Sequence, residues 1–162
     1  MKPLRAGVRF ALLLAVLVAL PAFASEKPIN LSIFPPLAIA KPEDSVTAFR
    51  FNLIYGKNTA VKVIDIGLVN HTTTGLSNGL QWGFANYTEG EFKGLQVAAI
   101  NINKGTARGL QWATVNYAEN AGGLQIAMVN YARKMDGVQV GVVNIIKEGG
   151  MFPVMVIANW GK

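Results

Sequence analysis

The sequence predicts an all-β protein, a parallel β-solenoid of about eight short coils behind an N-terminal cap. Three observations carry that expectation. The phrase Gly-aliphatic-Gln returns at near-constant spacing, an Asn follows each Gln by five residues, and the runs between are rich in β-branched and aromatic side chains without proline. Aligned on the Asn, the full units are GLQWGFAN, GLQVAAIN, GLQWATVN, GLQIAMVN and GVQVGVVN, ending at Asn86, Asn101, Asn116, Asn130 and Asn144. VIDIGLVN ends at Asn70 and has Asp65 where the others carry Gln. AFRFNLIY, with Tyr55 at the Asn position, and PVMVIAN, ending at Asn159, extend the array to eight units as atypical end repeats.

These markers lie 14 to 16 residues apart. The variation falls in YTEGEFK, YAENAG and YARKMD, which hold most of the charges and several glycines and read as turns. About 15 residues at roughly 3.3 Å each give a contour near 50 Å, enough for two short legs and two corners around a core about 10 Å thick. Stacked coils bring like positions together. Gln81, Gln96, Gln111, Gln125 and Gln139 then form one column, and Asn70, Asn86, Asn101, Asn116, Asn130 and Asn144 another, with each amide donating to one neighbour and accepting from the other.

Simple alternation divides the unit at Gly123 into a face of Leu124, Ile126, Met128 and Asn130 and a face of Gln125, Ala127, Val129 and Tyr131. The first is larger and more apolar and is the expected core face. Trp82, Val97, Trp112, Ile126 and Val140 would then fill the interior, leaving the Gln face as the contact surface. The alternative architecture is an eight-stranded antiparallel up-and-down barrel of the outer-membrane type. It is less favoured because antiparallel neighbours would not stack the amides.

Repeats of the form Gly-aliphatic-Gln-aliphatic-small-aliphatic-aliphatic-Asn, from about Ala48 to Asn159, resemble the leptospiral-type bacterial surface-repeat family of exported proteins. The opening stretch AFRFNLIYGKNTAVKVIDIGLVN is similar to the start of such arrays. The resemblance implies a surface or envelope location and no catalytic residue. Asp65 and the last unit depart from the pattern.

Residues 1–24 read as a Sec-type signal peptide: Lys2, Arg5 and Arg9 precede the apolar run FALLLAVLVAL, and the small-residue site AFA places cleavage between Ala24 and Ser25. The run from Phe10 to Leu20 falls short of the roughly 20 residues a spanning helix needs. Residues 25–47, with Pro28, Pro35, Pro36 and Pro42, form the expected cap over an open strand edge, and 48–162 the repeat domain. Without the leader, twelve Lys and Arg face nine Asp and Glu, for a net charge of +3 in place of +6. The basic residues form no stripe with interleaved aromatics, so nucleic acid is not an expected partner. There is no Cys, hence no disulfide framework.

Reactive groups are sparse. His71 is the single His, in the turn HTTTG, and reads as solvated. Glu89 and Glu91 are the closest acidic pair in the repeats, and because the other turns lack carboxylates at those places they read as a solvated turn and not a calcium site. GLSNG and ENAGG lack the strand-to-helix setting of a phosphate loop. No catalytic, cofactor or metal residues are expected. The reading is a non-enzymatic exported protein of the periplasm, outer membrane or cell surface. It would act structurally or bind a protein, a copy of itself or a surface glycan; the alternative is a small outer-membrane barrel acting as a pore or structural protein.

Overall fold

The computed structural model describes residues 24–162, and the expected signal peptide, residues 1–24, lies outside the described residues apart from Ala24. Among the described residues there is no helix. The strands are β1 (Glu26–Phe34), β2 (Leu37–Ala38), β3 (Ser45–Asn58), β4 (Lys62–Thr72), β5 (Leu76–Thr88), β6 (Glu91–Val97), β7 (Ile100–Trp112), β8 (Val115–Glu148) and β9 (Val154–Gly161). They form one sheet in chain order, except that β2 lies outside β1. Every pairing from β1 and β3 through β7 and β8 is parallel. The chain is therefore a β-solenoid of about seven turns. The sheet ends at β2 and β9 and does not close, which removes the antiparallel barrel.

The count is seven and not eight because both end units differ from the expectation. In β3, Tyr55 pairs with Val69, and the residue in register with Asn70 is Gly56. A Cβ on Gly56 would stand 2.0 Å from Oδ1 of Asn52, whose side chain occupies the space an Asn at 56 would have filled. Asn159 lies in β9, which runs antiparallel to β8 and pairs it with Gln139. This last strand is a hairpin return and not a further coil.

The core face is the reverse of the one alternation indicates. Gln81, Gln96, Gln111, Gln125 and Gln139 are buried, as are Asn70, Asn86, Asn101, Asn116, Asn130 and Asn144, whereas Trp82 and Trp112 are 55% and 59% exposed. A spacing of five places Gln and Asn on opposite sides of a straight strand. Here the strand bends between them. In the coil from Gly123, Gln125, Ala127 and Asn130 point in, while Met128 and Val129 are the successive exposed and half-exposed residues at the corner. That phase break returns Asn130 to the interior. The remaining inward positions hold small or slender groups, with apolar clusters of Ala118, Ala121, Ala132, Met135 and Ile146 near one end and Ala40, Val46 and Val61 near the other.

Another corner is marked by glycine. Gly79, Gly94, Gly109, Gly123 and Gly137 are in register and all have positive φ, between 104° and 147°. At Gly109 a Cβ would lie 2.2 Å from the carbonyl oxygen of Gly94 in the coil below. Val63 occupies the same register in β4 with φ 79°, a conformation that crowds a β-branched side chain. Replacing Val63 with Gly is expected to raise stability by about 1 kcal/mol, the relief of left-handed strain less the added freedom of the unfolded chain. A chemical-denaturation midpoint that falls for this variant would refute the strain assignment.

Candidate binding face

The amides inside the coil decide what the outside presents. Each Gln donates toward the N-terminal end: Gln96 Nε2 to Gln81 Oε1 at 2.7 Å, Gln111 to Gln96 at 3.0 Å, Gln125 to Gln111 at 2.7 Å and Gln139 to Gln125 at 2.8 Å. Each Asn donates the other way, from Asn70 to Asn86, Asn101, Asn116, Asn130 and Asn144 in succession at 2.8 to 3.0 Å. The two ladders thus carry opposed amide dipoles along one axis. A second set of bonds ties Asn to the backbone, as where Asn116 Nδ2 also reaches the carbonyls of Gln111 and Ile126. Buried amides with these partners avoid the 1 to 3 kcal/mol cost, in order of magnitude, of an unpaired polar group.

Asp65 closes the Gln ladder. It accepts from Gln81 Nε2 at 2.9 Å and from Arg50 in a bidentate pair, both contacts 2.7 Å, with Arg50 fully buried. A Gln at 65 would need an acceptor in the next coil, where Arg50 offers only donors. Arg50 Nη1 continues to Asn58 Oδ1 and the His71 carbonyl. At the far ends, the buried Gln139 Oε1 and Asn52 Oδ1 have no hydrogen-bond partner among the described residues, each being the acceptor that a further coil would have engaged.

With Gln and Asn inside, their aliphatic and aromatic neighbours point out and stack in register. One outward column runs Phe51, Ile66, Trp82, Val97, Trp112, Ile126 and, one coil on, Val140. At the neighbouring corner Leu68, Phe84, Met128 and Val142 are 50%, 60%, 59% and 62% exposed. Trp160 sits opposite Val138 in β9, so the third Trp lies on this side as well. Two shallow depressions crease the strip. One, of about 450 Å³, is lined by residues including Phe51, Leu68, Trp82 and Phe84; the other, of about 520 Å³, by Trp112, Met128, Val142 and Ile157 among others. Exposed apolar surface of this continuity is larger than a water-facing surface ordinarily carries. It is not the Gln surface expected from alternation.

The charged groups lie on the other sides of the coil. A polar groove of about 750 Å³ near the C-terminal end is lined by Arg108, Asn120, Lys134, Asp136, Glu148 and Lys162 among others. Arg133 bridges Glu119 and Glu148 at 2.9 and 3.1 Å. Tyr117 donates to Glu119, stacks on Tyr131 with ring centroids 4.9 Å apart, and has Lys104 Nζ 4.6 Å from its centroid. These contacts link successive coils along their surface.

His71 is not solvated. Tyr55 Oη lies 2.6 Å from Nδ1 and Glu89 Oε1 2.8 Å from Nε2, joining three coils that the sequence separates by 16 and 18 residues. The neutral ring with its proton on Nε2 satisfies both: Nε2–H donates to Glu89 and Tyr55 O–H donates to Nδ1. Tyr87 packs edge-on at 4.9 Å. Burial holds the imidazole below its ordinary value of 6.5, opposed by Glu89 and helped by Lys57 and Arg50. The folded state therefore binds this proton less readily than the unfolded state. The contribution is intact above about pH 6.5 and lost as pH falls through the depressed folded value. The urea midpoint is expected to hold between pH 8 and 7 and to fall between 6.5 and 5, with His71→Phe flattening that step. A midpoint that rises on acidification would exclude it.

Glu91 begins β6, exposed and without an ion pair among the described residues. Among the described residues no three His, Cys, Asp or Glu side chains converge as a metal site. Compared with family models, curated proteins and solved structures, the chain matches none.

Proposed function

We propose that this is a non-enzymatic, exported cell-envelope protein that acts by docking its regular outer β face onto an envelope component. The observation that carries the reading is the unbroken outward strip bearing Trp82, Phe84, Trp112 and Met128 on a scaffold whose polar groups are spent on internal ladders. A soluble protein has no folding use for that strip. The leader sequence and the resemblance to bacterial surface-repeat proteins support export. Local structure supports cleavage at Ser25. Its N–H and Oγ both donate to Asp44 Oδ1, at 3.0 and 2.8 Å, so an amino terminus freed there would be an ammonium facing a carboxylate.

Cell fractionation with N-terminal sequencing tests this. The expected result is a protein beginning at Ser25 and retained with the envelope, and a Trp82→Ser/Trp112→Ser variant released to the soluble fraction. Recovery of the unprocessed protein in the cytosol, or unchanged retention of that variant, would overturn the proposal.

A further inference from the structure

We infer that the partner of the outer face is a lipid surface with anionic headgroups, on which the solenoid lies with its long axis in the membrane plane. This rests on the docking reading above and names its occupant. The first ground is chemical. Across the strip every outward side chain from Leu80 to Val142 in the Leu, Trp and corner columns is aliphatic, aromatic, Ala or Met except Thr114, so beyond the indole N–H groups it offers almost nothing to hydrogen bond. A protein partner of ordinary interface size would bring about one hydrogen bond per 100 to 200 Å². Acyl chains bring none.

The second ground is the border. Along one long edge, beyond the corner glycines, Lys62, Asn78, Lys93, Arg108 and Gly122 stand in register; Lys62 pairs with Glu26 at 3.4 Å, while Lys93 and Arg108 face outward with no ion pair among the described residues. Along the other runs the row of His71, Tyr87, Ile102, Tyr117 and Tyr131, with Lys57 in the same row and Lys104 against Tyr117. Of the acids near that row, Glu119 is ion-paired with Arg133, and Glu89 accepts a hydrogen bond from the neutral ring of His71. Apolar centre, tyrosine row and basic flanks are the order in which a bilayer interface changes from acyl chain to headgroup to water. A second copy is disfavoured by the same groups, because face-to-face pairing sets one basic border against another. About seven coils at roughly 4.8 Å give the strip a length near 34 Å, long enough for its Trp residues to insert side by side.

The test uses the purified protein with sedimentable vesicles of phosphatidylglycerol and phosphatidylcholine. Co-sedimentation is expected, with a blue shift of Trp emission and quenching by brominated acyl chains. Replacing Trp82, Phe84, Trp112 and Met128 together with Ser should lower the bound-to-free ratio at least about tenfold. These residues point outward, so far-UV circular dichroism should be unchanged. Lys93→Glu with Arg108→Glu should weaken binding to the anionic vesicles by at least about fivefold.

Vesicle binding that survives the fourfold variant overturns the inference, as does a concentration-dependent dimer through the strip in vesicle-free buffer. If the protein stays with the envelope in cells yet ignores protein-free vesicles, the lipid assignment fails and the docking function stands. If it does neither, both fail.

Discussion

Replacing Asp65 with Ala is expected to destabilise the protein by about 3 to 5 kcal/mol, the cost of leaving a buried cation without its partner. Arg50 is fully buried and commits two of its nitrogens to this carboxylate at 2.7 Å. The same change strips Gln81 of its acceptor. The more informative variant is Asp65→Gln, because it restores the residue that the other coils carry. By repeat logic it should be neutral or stabilising. By ladder logic it should cost more than about 2 kcal/mol, since an amide oxygen cannot balance a buried guanidinium. Adding Arg50→Gln should recover at least about 1 kcal/mol, a coupling measured by a double-mutant cycle in urea. If Asp65→Gln melts like the native protein, Asp65 is a decayed repeat residue and not the terminus of the ladder.

Asn116→Leu is expected to cost about 3 kcal/mol or more. Asn116 is fully buried and makes four bonds: it accepts from Asn101 and donates to Asn130, Gln111 O and Ile126 O. Leucine is of similar size but offers none of these, so it deprives Asn101 Nδ2 of its Asn116 acceptor on one side and Asn130 Oδ1 and the Ile126 carbonyl of their donor on the other, each buried unpaired group costing on the order of 1 to 3 kcal/mol. Asn116→Asp makes a useful companion. It keeps the shape and the acceptor but removes the donor bound for Asn130, and it buries a charge. Neither substitution touches the outer face, so vesicle binding by the folded fraction should persist. A melting temperature unchanged by Asn116→Leu would show that the ladder is not a stabilising element.

The period of the solenoid is legible in the residues because the ladders demand it. An amide that donates to the coil on one side and accepts from the coil on the other must recur once per coil, and Gln and Asn do so from Gln81 and Asn70 onward. The ends are less legible. Asn52 fills the place beside Gly56 from four residues away, and only a chain path that brings the two together shows it. The His71, Glu89 and Tyr55 contact escapes a local reading for a similar reason, since it depends on parallel register across three coils.

The sense of the faces is the larger gap, and its cause is specific. Alternation assigns sides only while a strand runs straight, and the corner after Ala127 carries no proline or glycine to announce itself. Hydrophobicity then points to the wrong interior, because it assumes that the largest apolar side chains are buried. In a coil of 14 to 16 residues the lumen is narrow, and the ladder amides that pair along the axis fill it with one another's donors and acceptors, although the buried Asn103 Oδ1 beside them has no partner among the described residues. Trp82, Trp112 and Met128 are left outside. The order of residues alone establishes a repeating β architecture, its period and the identity of its ladder amides. Which side of that ladder meets the environment depends on where the chain turns, because a single bend between Gln and Asn exchanges inside for outside.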